Sequence, residues 1–124
     1  MKNYIPKDLD DAIQILIKEL SPADLERIKR GNVIDYHHNL GQCIRNNWGL
    51  WEKSKLSLWF FDTLGIKHPD DASNIILTSL QRHLRGEDIN LVEQVKEYVE
   101  YWRTAKTTTD FNILCTKDEI KILK

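Results

Sequence analysis

Leu9-Asp10-Asp11-Ala12-Ile13-Gln14-Ile15-Leu16-Ile17-Lys18-Glu19-Leu20-Ser21-Pro22-Ala23-Asp24 is the stretch that decides the fold. Leu9, Ile13, Leu16, Ile17 and Leu20 recur at i, i+4, i+7, i+8 and i+11, which lays one apolar stripe along an α-helix. Asp8, Asp10 and Asp11 stand at its start, where carboxylates suit the positive end of the helix dipole. Ser21 then offers an N-cap oxygen and Pro22 fits a first helical turn, so one helix passes almost directly into another. Gly31 closes that second helix after the basic Arg27, Lys29 and Arg30.

Working outward, the same alternation of cap and stripe repeats. A third helix is expected over about Asp35 to Asn46, broken by Gly49, and a fourth from about Glu52 to Leu64, ended by Gly65. Pro69-Asp70-Asp71-Ala72 opens a fifth that reaches about Leu84 before Gly86. Asn90-Leu91-Val92-Glu93 has capping-box-like spacing for a sixth, with Leu91, Val95, Tyr98 and Trp102 as its buried stripe. Caps and apolar period agree throughout, which points to an all-α fold, a compact bundle of five or six short helices. The end of the chain differs. Thr107-Thr108-Thr109 and Phe111 to Cys115 favour extended chain, and Glu119 to Leu123 alternates weakly, so a small C-terminal β-hairpin or a packed tail is expected. The chain therefore divides into a helical domain over residues 1–106 and an extension over 107–124 packed on it.

At 124 residues there is room for one core. With 41% hydrophobic and 30% charged residues, the composition excludes a disordered or low-complexity chain. Eighteen basic against nineteen acidic residues leave a formal charge of -1, without the basic excess that displaces counterions from a duplex. Nucleic acid therefore ranks low among partners. The longest apolar runs, such as Leu58 to Phe61, fall far short of the roughly 20 residues that span a bilayer, so no membrane association is expected. The N-terminus lacks a signal-like apolar stretch. Cys43 and Cys115 fit no metal or redox spacing and are read as free thiols in a reducing, cytoplasmic compartment.

Chemistry concentrates between His37 and Trp51. On a helix, His37, Gly41, Ile44 and Trp48 fall in a narrow arc with Arg45 at its edge. A glycine in that stripe implies close approach of another helix. Trp48, Trp51 and Trp59 fit either a small core or an aromatic groove for a partner. Arg45-Asn46-Asn47 admits two explanations. These donors hold a carboxylate or phosphate, or Arg45 pairs with Asp70 or Asp71 while an asparagine caps the helix. An unpaired buried arginine costs about 3–5 kcal/mol, so it has a partner either way. In His68-Pro69-Asp70-Asp71, the carboxylates suit acid–base work, and equally the first turn of a helix. Metal-ligand spacings, a phosphate-binding glycine loop and a nucleophile elbow are all missing, so neither metal nor cofactor is expected and no catalytic residue is assigned. Cys43, near His37 and His38 in sequence, gives only weak grounds for a thiolate nucleophile.

Ile5-Pro6-Lys7-Asp8-Leu9-Asp10, Ile44-Arg45-Asn46-Asn47-Trp48-Gly49-Leu50-Trp51, Leu64-Gly65-Ile66 with His68-Pro69-Asp70-Asp71, and Ile75-Ile76-Leu77-Thr78-Ser79 together resemble the bacterial domain-of-unknown-function family 6794. The resemblance extends over about residues 5–102. It departs at Cys43, where the family pattern carries an aromatic or large apolar residue, and at Asn74, often a glycine, which speaks against Cys43 as a family nucleophile. The resemblance implies a small bacterial or phage-borne domain and brings no catalytic residues. It draws attention to His37, Arg45, Asn46, Asn47, Asp70 and Asp71.

The expectation is a non-enzymatic protein-binding module, an immunity or regulatory protein that docks on a toxin or effector. Its anchors would be His37, Arg45, Asn46, Asn47, Trp48, Trp51, Asp70 and Asp71. The alternative is a small enzyme or ligand-binding domain that holds an anionic group through Arg45 and Asn46/Asn47.

Overall fold

The computed structural model describes residues 5–108. Six α-helices follow in order: α1 (Leu9–Glu19), α2 (Pro22–Arg30), α3 (Leu40–Asn47), α4 (Lys55–Leu58), α5 (Pro69–Arg85) and α6 (Leu91–Thr108). A 3-10 turn, Val33–Tyr36, precedes α3, and α4 widens into a π-helical segment, Trp59–Leu64. Among the described residues there is no strand, and the fold is an all-α bundle. The C-terminal hairpin expectation falls outside the described residues, except that Thr107 and Thr108, expected in extended chain, end α6 instead.

Local chemistry sets most boundaries. Asp8 caps α1 through the Asp11 N–H, Ser21 caps α2 through the Asp24 N–H, and Pro22 and Pro69 stand in first turns. The expected third helix is divided. The Asn32 side chain takes the Ile34 N–H to start the 3-10 turn, and Asn39 begins α3. Asparagine competes in this way with a continuous helix, because its side chain offers the backbone a local alternative. The fourth helix starts later than Glu52, since Ser54 Oγ takes the Ser57 N–H. Gly49, at φ 66°, closes α3 with the Leu50 N–H on Arg45 O, and a Cβ there would stand 2.9 Å from that of Ser54.

α5 is the axis of the bundle. It packs against α1, α2, α3, the 3-10 turn and α6. Ala72, Ser73, Ile75, Ile76, Leu77, Ser79, Leu80 and Gln81 are all buried, so little of its circumference meets water. Leu9, Ile13 and Leu16 from α1, Ile44 and Trp48 from α3, and Leu56 and Phe60 complete the core. Gln81 Nε2 donates to the Ile28 and Gly31 carbonyls at 2.7 and 2.8 Å, so α5 satisfies the C-terminal end of α2. Gln94, also buried, joins α6 to Ser79 Oγ at 3.1 Å.

The expected stripe of α6 is corrected in one respect. Leu91, Val95 and Tyr98 are half-buried, but Trp102 is exposed, because α6 runs past the end of the core it covers.

Gly41 allows the 3-10 turn to sit close on α3. A Cβ at this position would lie 3.2 Å from Tyr36 O, 3.1 Å from the Arg45 guanidinium and 3.6 Å from Leu77 Cδ1. Gly41→Ala gains about 1 kcal/mol of helix propensity. It also forces a shift against backbone, and such crowding costs roughly 1–3 kcal/mol. Urea denaturation is expected to show net destabilisation; a more stable variant would mean that the 3-10 turn yields freely.

Candidate functional site

Arg45 emerges from the end of α3 that faces the start of α5 and is only 5% exposed. Its three nitrogens are all engaged. Nε lies 3.3 Å from Asp70 Oδ1, one terminal nitrogen donates to Ser73 Oγ at 2.8 Å, and the other to the His37 carbonyl at 3.2 Å. Ser73 Oγ in turn donates to Asp70 O at 3.1 Å. Asp70 is 41% exposed at its side chain, so water shares one side of the pair.

The remaining sequence candidates scatter around this pair. Half-buried His37 sets Nδ1 3.2 Å from Asn74 Oδ1 and stacks edge-on with His38. Asn46 and Asn47 are exposed, and Asn47 Nδ2 donates to the Sγ of exposed, free Cys43. Neither asparagine caps α3, a position that Trp48 holds. Trp48 is fully buried in the core, while Trp51 is 54% exposed. Among the described residues, no group of three or more His, Cys, Asp and Glu side chains could hold a metal ion, and no helix is long and apolar enough to cross a membrane. Cys115 lies outside the described residues.

A second group gathers around His68. Its Nδ1 accepts the Asp70 N–H at 3.0 Å, so the imidazole caps α5. Trp51 meets the ring edge-on at a centroid distance of 6.1 Å, and Trp102 lies parallel to it, offset, at 5.9 Å and 8°. Trp102 Nε1 donates to Asp71 Oδ2 at 2.7 Å, and Tyr101 packs edge-on against Trp102. Trp51 from the α3–α4 turn, His68 from the start of α5, and Tyr101 and Trp102 from α6 thus form one exposed aromatic face.

Burial pushes the Asp71 carboxyl above its usual range, opposed by the Trp102 indole and by His68, and reinforced by Asp70. Burial likewise raises the Tyr98 phenol, Asp71's charge adds to the shift, and a hydrogen bond with Asn74 opposes it. Sequence reasoning missed Asn74, Tyr98, Tyr101 and Trp102 as site residues. The available signal was the α6 stripe, which places Trp102 one turn beyond Tyr98 and hence at the edge of the core.

The site is therefore an aromatic face backed by a buried ion pair on an all-α bundle. Residues 5–84 match the model of a family described as a domain of unknown function (DUF6794), and the chain belongs to that family. The match stops short of the 5–102 span of the sequence resemblance, so Tyr101 and Trp102 stand beyond it. No curated protein and no solved structure matches the chain.

Two predictions test this geometry. Arg45→Ala leaves Ser73 and the His37 carbonyl without their donor, and is expected to cost roughly 3 kcal/mol in chemical denaturation, the lower end for a broken buried pair because Asp70 can rehydrate. Asp70→Asn should cost clearly less. Unchanged stability of Arg45→Ala would free the guanidinium for a ligand. For Asp71, a pKa raised by folding means that its charged form destabilises the native state. That cost is absent below the unfolded pKa and grows as pH rises through the elevated folded value. Asp71→Asn keeps an acceptor for Trp102, so its stability relative to wild type should climb as pH rises from the unfolded pKa through the raised folded one; a flat difference in urea titrations at stepped pH would refute this.

Proposed function

We propose that the chain is a non-enzymatic protein-binding module, an immunity-type or regulatory protein of bacterial or phage origin that docks on one partner protein in the cytoplasm. The observation that carries this reading is the grouping of Trp51, Tyr101 and Trp102 around His68, with exposures of 54%, 60% and 36%. Tryptophan and tyrosine dominate binding energy at protein interfaces. A whole aromatic side chain buries about 150–250 Å², and at these exposures roughly 50–150 Å² of each ring is left for a partner. At about 25 cal/mol per Å² that is roughly 1–4 kcal/mol per ring before ordering costs. Those costs are reduced here, because Trp102 is already held by Asp71 and His68. Near-neutral charge and the lack of a catalytic template in the sequence favour the same reading. The anion-binding alternative would require Arg45 to leave Asp70, Ser73 and the His37 carbonyl together.

The test is calorimetric titration against the proteins encoded beside this chain, a toxin or effector first among them. Trp51→Ala is expected to weaken the complex by about 2–4 kcal/mol, a loss typical of an interface hot spot. Thermal stability should hold, since Trp51 is largely exposed and its described ring contact is with His68 alone. Undiminished affinity in that variant, or no binding by any co-encoded protein, would overturn the proposal.

A further inference from the structure

The opposite end of α6 carries a different surface. An open groove of about 600 Å³ runs between the start of α1, Trp59 and the turn into α6. Its floor is apolar: Leu9, Ile13, Trp59 and Ile89. Leu91 and Val92 form its ridge and also line a second, largely apolar groove of about 340 Å³ that continues along α6 past Val95 and Val99 beside Leu64. Val92 is 76% exposed, and Leu58 at the end of α4 and Phe61 on the π-helical stretch are exposed as well. The two grooves share Leu91 and Val92 and form one apolar track.

The rim supplies the sign of the partner. Asp8, Asp10, Asp88 and Glu93 line the first groove, and no lysine or arginine does, while Lys96 lines the second. Asp8 and Asp88 accept backbone N–H groups, from Asp11 and Asn90, but none of the four carboxylates forms a salt bridge among the described residues. The N-termini of α1 and α6 contribute roughly half a positive charge each, which offsets only about one of the four negative charges. An apolar floor inside an uncompensated acidic rim is complementary to an amphipathic helix with basic flanks.

The geometry points to this groove as the docking site for a basic amphipathic helix of another protein. Two other occupants fit less well. A second copy would bring one acidic rim against another. The chain's own residues 109–124 carry Lys117, Lys121 and Lys124 against Asp110, Asp118 and Glu119, a balance of zero with no basic excess to meet the rim. Val92 lies about 15 Å along α6 from Trp102 at 1.5 Å per residue, and neither groove is lined by Trp51, His68, Tyr101 or Trp102, so the inference does not depend on the aromatic face.

The full chain is titrated by fluorescence anisotropy with a labelled Leu/Lys amphipathic peptide about four turns long, and with its Leu/Glu counterpart. The Lys peptide is expected to bind, the more weakly the higher the salt, and the Glu peptide to bind at least about tenfold more weakly. Val92→Ser, at an exposed position, and Asp10→Asn with Glu93→Gln should each weaken the Lys peptide by about tenfold, through the apolar ridge and the acidic rim respectively. Failure of the Lys peptide to bind, equal binding of both peptides, or indifference to these variants overturns the proposal. So does a gain of about tenfold in the full chain carrying Ile113→Asp and Ile122→Asp, which would make its own C-terminal segment the occupant. A dimer in sedimentation velocity that Val92→Ser dissolves would overturn it in favour of a second copy. A Lys peptide seated on the aromatic face instead would be indifferent to the groove variants, and that result too overturns the proposal.

Discussion

A helix surrounded on nearly every side has no water to satisfy the polar groups that border it. α5 is such a helix, and the arrangement of its neighbours follows from that constraint. Each buried polar side chain at its surface serves a second element. Gln81 takes up the carbonyls at the end of α2, Ser79 receives Gln94 from α6, and Ser73 receives Arg45 from α3. These bonds contribute about 1 kcal/mol each when made, but leaving one partner orphaned costs about 1–3 kcal/mol. Their role is therefore to select one packing among the several that an apolar helix surface would accept. Trp48 marks the limit of this rule: its indole N–H finds no partner among the described residues, and the burial of a complete tryptophan outweighs that loss.

The same constraint explains why the aromatic face stands where it does. The N-terminus of α5 needs acceptors, and His68 supplies one through Nδ1. Commitment of that nitrogen fixes the ring plane, and the plane gives Trp51 and Trp102 a surface to pack against. Asp71, half-buried beneath them, keeps an indole donor within 2.7 Å. A structural need at a helix end has thus gathered these rings into one exposed array, held by the Trp102–Asp71 hydrogen bond and the ring contacts with His68.

Much of the bundle was legible in the sequence because its signals are local. Ser21, Pro22, Pro69 and Gly86 act on their own turns, and the helices begin or end at them. The errors arise where two local options compete or where distance matters. Asn39 could end a turn or begin a helix, and a continuous period from Asp35 concealed the break. The π-helical stretch at Trp59–Leu64 left no mark, because Trp59, Phe60 and Phe61 are apolar at every phase. In the site, the pairing of Arg45 with Asp70 was one of two stated options, since charge and spacing suggest it. Ser73 and the His37 carbonyl as further acceptors depend on how α3 lies on α5. The bond from Trp102 to Asp71 joins residues 31 apart in sequence, and the α6 stripe assigned Trp102 to the core.

α6 holds the two surfaces together. From Leu91 to Thr104 only Gln94 is fully buried, and the others are half-buried or exposed. A helix this long, attached by Leu91, Val95, Tyr98, one buried amide and one indole, is fastened along a single edge. Its flanks are left open: Val92 and Val99 beside the π-helical stretch, and Tyr101 beside Trp102. If α6 served only to close the core, polar residues at these three positions would cost little in packing and would avoid exposed apolar area. The family match ends just before α6 begins, so the part of the chain that completes both surfaces is also the part outside the matched segment. The matched segment supplies the buried axis and its ion pair, and α6 adds the apolar groups that a partner would cover.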